Sequence, residues 1–519
     1  MTRAVCRAAS IALTGLEGAV VDVEAAVSQQ LPGMAIIGLP DTALAEAKLR
    51  VRTATTQAGL PLADRFITVN LGPASLPKHG TGFDLAIALA ALAASGRLPI
   101  DRLSAVAHLG ELGLDGGLRR PAGLLSAVLA ARANGFTRVM VPASCAAEAA
   151  LVPGITAIPV QSLVHAVAWH TADERTERVV TSTVTQRPRS AVVEEPPEDR
   201  DIADVQGQSE AVEALVIAAA GRHNISMVGP PGAGKTLLAE RLPTILPDLD
   251  DAEAMEASSI ASLGGRTLTG LIRRPPFEHP HHTASSAAII GGGAGDRITP
   301  GAITRACHGV LFLDEAPEFN RVVLDALRQP LERGVVELQR SRVRATLPAR
   351  IQLVIAANPC PCGNAGSPGR ETVCTCSPNT RVRYMQRISG PLSDRIDLRL
   401  GLQRVTRVPH AASEDHRECS ASVRRRVVLA RRRSARRLAG TPWKVNGELP
   451  GTWLRGGKYR LARSETAILD RALALGALTL RGYDRVLRVA WSIADLAELD
   501  RPGRPEIGAA LALRNGGQL

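Results

Sequence analysis

At 519 residues the chain exceeds one ordinary domain, and roughly 100 to 200 residues per domain suggests three. Hydrophobic residues make up 45% and charged residues 22%, which excludes a disorder-dominated chain and leaves material for several cores. The net charge of +12 permits a polyanionic partner such as nucleic acid, and arginine carries nearly all of it, because Lys48, Lys78, Lys235, Lys444 and Lys458 are the only lysines.

In the first twenty residues Glu17 and scattered polar side chains interrupt any apolar segment, which argues against a signal peptide. The longest apolar run, 85–94, falls far short of the roughly 20 residues that a membrane-spanning helix needs. The expectation is a cytoplasmic protein with no membrane partner. Residues 1–170 alternate β-rich segments (19–23, 65–70, 137–141) with alanine-rich helical stretches, which favours an α/β or α+β domain. Two stretches, 76–82 (Leu-Pro-Lys-His-Gly-Thr-Gly) and 114–119 (Leu-Asp-Gly-Gly-Leu-Arg), resemble the proteolytic domain of Lon-type proteases. The chemistry of that family is missing. Gly82 stands where it places its nucleophilic serine, and Arg119 where it places its catalytic lysine; an arginine stays protonated and cannot act as a base. Ser75 and Lys78 read as loop residues. A partner-binding module or a structural cap is expected, not a peptidase.

Residues 171–200 are charged and proline-bearing with little apolar periodicity, as expected of an interdomain linker. Beyond it, Gly229-Pro230-Pro231-Gly232-Ala233-Gly234-Lys235-Thr236 fills every position of a G-x-x-x-x-G-K-[ST] phosphate loop, between the apolar run 225–228 and a helix-like stretch from Leu237. The glycines let backbone N–H groups turn inward around phosphates, Lys235 supplies a point charge to the β- and γ-phosphates, and the Thr236 hydroxyl holds Mg²⁺. ATP and Mg²⁺ are therefore the expected cofactors.

The run 309–313 ends in Asp314 and Glu315, and an open parallel sheet builds its active site at such strand ends. Asp314 is expected in the Mg²⁺ shell and Glu315 as the group that orients and deprotonates the attacking water. The run 351–357 closes on Asn358, placed to hold the lytic water or the γ-phosphate. Cys360, Cys362, Cys374 and Cys376 follow as C-x-C…C-x-C on a Gly/Pro-rich loop, a candidate four-thiolate zinc site. Reduced thiols without metal are the alternative, and Cys6, Cys145, Cys307 and Cys419 read as small apolar residues.

Residues 335–347 read as a hairpin with a basic tip, where Arg340 and Arg342 are candidate phosphate contacts for DNA. From residue 405 the chain turns helical. Val423, Val427, Ala430 and Ser434 form one face, and Arg424, Arg425, Arg426, Arg431, Arg432, Arg433, Arg436 and Arg437 fill the rest. Those eight arginines fit a DNA footprint, a solvated face or a subunit interface equally well. Thr479 is an N-cap candidate for the helix that carries Arg481 and Arg485.

The order of Asp204 to Gln208, the phosphate loop, Asp314-Glu315, Asn358-Pro-Cys-Pro-Cys-Gly and Ser-Gly-Pro-Leu-Ser-Asp-Arg-Ile-Asp (389–397) resembles the Mg-chelatase-like AAA+ family of YifB and the competence protein ComM. The resemblance spans essentially the whole chain, since members also begin with a Lon-like domain. It implies an α/β protein with a Lon/S5-like α+β domain (1–170), a linker (171–200), an AAA+ P-loop core with a parallel sheet and the cysteine insert (201–404), and a helical lid (405–519). It assigns Asn358 as sensor 1, Arg395 as an arginine finger reaching into a neighbouring subunit's nucleotide, and Arg481 as sensor 2, with Arg485 as the fallback. A surface pairing of Arg395 with Asp394 or Asp397 is the alternative for that residue. Residues 273–282 and 291–293 are similar to the family's helix-2 and pore-loop insertion, and the hairpin to its pre-sensor-1 hairpin. The insertion's His279, His281 and His282 make a poor metal site, because no acid or cysteine clusters beside them in the sequence. The same resemblance implies a homo-oligomeric, hexameric ring that hydrolyses ATP and acts on DNA as a translocase or helicase, promoting branch migration in recombination or transformation, with no small-molecule substrate beyond ATP. The rivals are a chelatase-type subunit serving metal insertion into a tetrapyrrole and a protein-remodelling ATPase.

Overall fold

The computed structural model describes residues 5–38, 41–76, 78, 80–172, 200–293, 298–339, 344–365, 373–405 and 417–516. The N-terminal unit is built on a long antiparallel hairpin, β1 (Cys6–Thr14) and β2 (Glu17–Ser28). Around it β3 (Gly33–Ile37), β4 (Phe66–Gly72), β5 (Ala107–His108), β6 (Arg138–Pro142) and β7 (Thr156–Val160) complete a mixed sheet of order β3-β4-β2-β1-β5-β6-β7. The apolar run too short for a membrane is the helix Asp84–Ala94, and ten of its eleven residues are buried against this sheet. An all-round apolar helix of that length is a core element.

The central unit is a five-stranded parallel sheet of order β9-β10-β11-β8-β12, made by β8 (Ile225–Val228), β9 (Phe277–Glu278), β10 (Val310–Leu313), β11 (Gln352–Ala357) and β12 (Leu398–Gly401). Every residue of β10 and β11 is buried. Parallel strands covered on both faces read as continuous apolar runs, which is why these two stood out in the sequence. Val335–Gln339 pairs antiparallel with Arg344–Pro348 from Val335↔Pro348 to Gln339↔Arg344, the hairpin expected there; its tip, with Arg340 and Arg342, lies outside the described residues.

The lid is not a separate body. Val423 and Val427 of the helix Ser420–Arg437, Trp491 of the helix Leu480–Leu496 and Ile507 of the helix Arg504–Asn515 share one core with Val310, Phe312 and Leu398 of the sheet. The N-terminal unit is also fastened to the centre, through Arg120. Its guanidinium meets Glu148 at 2.9 Å twice and donates to the Arg266 carbonyl at 2.8 Å, while Ser262 Oγ donates to Glu148 at 2.6 Å. The Lon-like stretches carry no exposed catalytic pair among the described residues: Lys78 is buried, with Nζ donating to the Pro73 and Leu76 carbonyls.

Candidate nucleotide-binding site

Strand β8 delivers the phosphate loop at its C-terminal end, and Lys235 opens α1 (Lys235–Ile245) directly behind it. Gly232 and Gly234 have φ of +77° and +81°, a left-handed conformation that glycine adopts without strain. Where a Cβ would project from either, no atom lies within 4 Å, so the loop encloses an open cradle. The free N–H groups at the start of α1 point into it. On the other side Gly229 has no such space, since a Cβ there would stand 2.7 Å from the Leu402 carbonyl oxygen.

Lys235 is buried, and its Nζ donates to the carbonyls of Gly229 (2.7 Å) and Pro230 (3.1 Å) and to Asn358 Oδ1 (3.0 Å). Burial pushes this amine below the usual lysine range, against the opposing pull of Asp314 and Glu315. Thr236 Oγ1 donates to Asp314 Oδ2 at 2.9 Å, and Asp314 Oδ1 accepts from the Glu315 N–H at 2.8 Å. The structure therefore brings Lys235, Thr236, Asp314, Glu315 and Asn358 to one sheet edge. Hydroxyl and carboxylate oxygens side by side are the hard donors that Mg²⁺ takes together with phosphate oxygens, so the cradle and its donor set fit a Mg²⁺–nucleotide.

Two features of this edge were not read from the sequence. Glu315 sits at φ +50°, a sparsely populated conformation for a side chain with a Cβ. His282, considered in the sequence only as one of three histidines for a metal, places Nδ1 3.6 Å from Glu315 Oε2. Gln208 Nε2 donates to the Ala233 carbonyl (3.3 Å) and the Gln403 carbonyl (2.7 Å), and Arg404 donates to the Pro231 carbonyl (2.9 Å). The segment 204–208 is thereby tied to the phosphate loop.

The expected arginines lie elsewhere. Asn224, just before β8, donates through Nδ2 to the Arg395 carbonyl at 2.9 Å, so Arg395 is moored at the N-terminal end of the sheet. At about 3.3 Å per strand residue, that end stands roughly 15 Å from the phosphate loop. Arg395 is buried and paired with Glu332, which corrects the sequence-based alternative of a pairing with Asp394 or Asp397. Asp397 instead holds Arg485 at 2.5 Å and accepts from the Asn224 N–H at 2.9 Å. Burial pushes the Asp397 carboxyl up, but Arg485 and His223 outweigh it and hold the group well below the usual carboxylate range. Arg481, one turn before Arg485 and just after the Thr479 cap, is exposed. Arg395, Arg481, Arg485 and Arg488 line one cavity of about 590 Å³ with Arg222, Arg333 and Arg350. Seven arginines there face five acids (Glu332, Asp394, Asp397, Glu448 and Asp484), a surplus suited to a phosphate chain.

The four clustered cysteines lie with their sulfur atoms within 4.8 Å of one another. Of the single cysteines, Cys6 and Cys145 are buried apolar residues as expected. Cys307 is buried beside the Glu256–His308 pair, and Cys419, read as a small apolar residue, is exposed. The eight-arginine helix is divided. Its Val423, Val427, Ala430 and Ser434 face is buried. Arg424 donates to the Thr244 carbonyl and Arg431 to the Ala219 carbonyl, Arg426 pairs with Glu213 and Glu418, Arg433 reaches the Glu498 carbonyl, and Arg437 pairs with Asp495 over the Trp491 ring. Burial pushes Arg431 down to about 9. Five of the eight arginines thus bind the lid to its own chain, which leaves Arg425, Arg432 and Arg436 exposed for any outside partner.

A phosphate loop on a parallel sheet of this strand order, closed by a helical lid, defines a P-loop ATPase of the Mg-chelatase-like AAA+ group. Residues 201–409 match the family described as magnesium chelatase, subunit ChlI. Residues 23–145 match subunit ChlI of Mg-chelatase, and residues 417–514 match the C-terminal part of that subunit. An uncharacterized protein of Mycobacterium tuberculosis strain H37Rv is 44% identical over 98% of this chain and 99% of its own length. The uncharacterized protein YifB of Escherichia coli and the competence protein ComM of Haemophilus influenzae are each 38% identical, over 97% of this chain and 96% of theirs. The chain belongs to the YifB/ComM family of Mg-chelatase-like ATPases. Among the described residues no helix is long and apolar enough to cross a membrane.

Proposed function

We propose that the chain is a Mg²⁺-dependent ATPase that works as a homo-oligomeric ring, most simply a hexamer, and moves DNA as a translocase or helicase in recombination or transformation. One observation carries the ring: the phosphate cradle and the arginine cavity lie at opposite ends of a single sheet, too far apart for Arg395 to serve its own nucleotide. A neighbouring copy supplies the missing half. In this reading Lys235 and the loop amides bind and orient the triphosphate, Thr236 and Asp314 hold the cation, and Asn358 positions water. Glu315 takes its proton, held near His282 until then. The bound Mg²⁺ supplies charge neutralisation for the phosphate oxygens. Arg395 and Arg481 of the adjoining copy stabilise the charge that builds up on the transferred phosphoryl group.

The DNA part rests on the hairpin between whose strands the sequence places Arg340 and Arg342, on the overall basic charge and on likeness to a competence protein. One face of that hairpin, Ala345 and Leu347, packs on the turn at Gly15, so the N-terminal unit stands beside the segment proposed to meet DNA. A Zn²⁺ held by Cys360, Cys362, Cys374 and Cys376 completes the reading. The chelatase-type alternative is favoured by the family descriptions, which name that enzyme's subunit; a protein-remodelling ATPase is the other. The test is ATP turnover with and without forked or four-way DNA, in low and raised salt, for wild type and for Arg340→Ala/Arg342→Ala. Stimulation by DNA that fades with salt and is lost in the double variant is expected. Turnover indifferent to DNA refutes the DNA reading and leaves the two alternatives.

A further inference from the structure

Cys360 follows the asparagine at the end of β11 by two residues, and the loop it opens folds back on the phosphate loop. Gly363 has φ +79°, and a Cβ on it would stand 2.7 Å from Pro231 Cδ and 2.8 Å from Cγ. Cysteine loop and phosphate loop are therefore in direct contact through a glycine that leaves no room for a side chain. Asn358, between them, accepts from Lys235 Nζ at 3.0 Å.

Regular structure ends at Ala357. From Asn358 to Ala365 the backbone bonds to itself once, from Gly363 N–H to the Cys360 carbonyl at 2.9 Å, while the Asn364 and Cys362 N–H groups go to the sulfurs of Cys362 and Cys376. Little in the backbone itself fixes this segment. The sulfur atoms do converge: Cys360 and Cys362 at 3.3 Å, Cys360 and Cys374 at 3.7 Å, Cys362 and Cys374 at 3.6 Å, with Cys376 inside the same 4.8 Å cluster. A disulfide would need about 2.05 Å. A tetrahedral zinc with Zn–S bonds of about 2.3 Å places its sulfurs about 3.8 Å apart, close to the separations seen. Thiol–thiol hydrogen bonds are too weak to hold four sulfurs in such an array against the freedom of the loop.

Resting on the nucleotide-site reading above, we propose that these four cysteines form a zinc staple that sets the position of Asn358 and of the Pro231 turn, so that metal occupancy controls the rate of ATP turnover. Cys360, fully buried, anchors the staple to the core, and exposed Cys362 closes it from the solvent side. The cysteines act through Asn358 and touch no substrate; they are positioning residues.

The experiment uses the full chain with Cys419→Ser as background, so that the remaining exposed thiol lies in the cluster. Metal analysis is expected to give one zinc per chain. Cys362→Ser should lose the zinc and lower kcat roughly tenfold or more, as supporting residues around a metal do, while KM for ATP changes less than kcat. Cys362→His, which keeps a zinc ligand, should retain both metal and turnover. Where Cys362→Ser proves unstable, releasing zinc from the folded background protein with an organomercurial, followed with a chromogenic chelator, should lower turnover in step with the metal released. A background protein without zinc overturns the staple. Zinc loss with kcat intact overturns its control of turnover. A protein that holds zinc yet hydrolyses no ATP refutes the nucleotide reading and the control role together, and the metal count stands apart from both.

Discussion

The two ends of the central sheet differ in how completely they satisfy themselves. At the C-terminal end, Lys235, Thr236, Asp314 and Asn358 are bonded to one another around a cradle that is open on its outer side. At the N-terminal end, seven arginines face five acids around one cavity, and Arg395 is paired with Glu332. In the proposed reading one end binds the polyphosphate, and the other carries the cations that such a ligand meets during hydrolysis. On that reading a single chain has both halves, and a neighbouring copy joins them.

Several changes break or sharpen this contrast. The largest effect is expected at the cradle: Glu315→Gln should cut turnover by roughly 10²–10⁴-fold, the usual worth of a general base, while nucleotide still binds in a fluorescent-analogue titration. Lost binding would place Glu315 in the cradle's architecture instead. At the other end two arginines one turn apart should separate cleanly. Arg485→Ala strands Asp397 in the core and should cost about 3–5 kcal/mol of stability in denaturant unfolding. Arg481→Ala removes an exposed side chain and should leave stability within about 0.5 kcal/mol while lowering turnover.

A smaller effect follows from pH. Asp397 has its pKa depressed in the folded chain, so the stability it contributes is fully present above its unfolded value of about 3.9 and is lost as pH falls below it. His108 and His170, buried together at 3.0 Å in the N-terminal unit, are pushed down to about 4 and about 3 by burial. Their unfolded forms take up protons first, near pH 6.5, so the N-terminal unit should weaken from pH 6.5 toward pH 4 while the centre holds to lower pH. Calorimetry at pH 7, 5.5 and 4 resolves the order; a centre that melts first as pH falls would contradict it.

How much was readable beforehand divides along the same line. The phosphate loop needs only eight consecutive residues, and buried parallel strands announce themselves as apolar runs, so the sheet's C-terminal edge was legible down to Thr236 and Asp314 meeting. The Thr479 cap and the hairpin from Val335 are equally local. Pairings across long separations were not legible. Arg395 with Glu332 spans 63 residues and Gln208 with Gln403 spans 195, and no spacing rule distinguishes Glu332 from the nearer Asp394 and Asp397. The arginine-rich helix misled for a related reason. A run of like charges looks like a surface, yet Thr244, Ala219, Glu213 and Asp495, far away in sequence, take half of those guanidinium groups. His282 beside Glu315 was hidden because they are 33 positions apart across an irregular insert.

The most direct test mixes two inactive chains. Lys235→Ala disables the cradle and keeps Arg395, while Arg395→Ala disables the cavity and keeps the cradle. If one active site is built from two chains, mixing the variants should restore ATP turnover that neither shows alone, because some interfaces then pair an intact cradle with an intact arginine. A mixture as inactive as its components, or an Arg395→Ala chain that turns over ATP at the wild-type rate, would contradict a site shared between subunits.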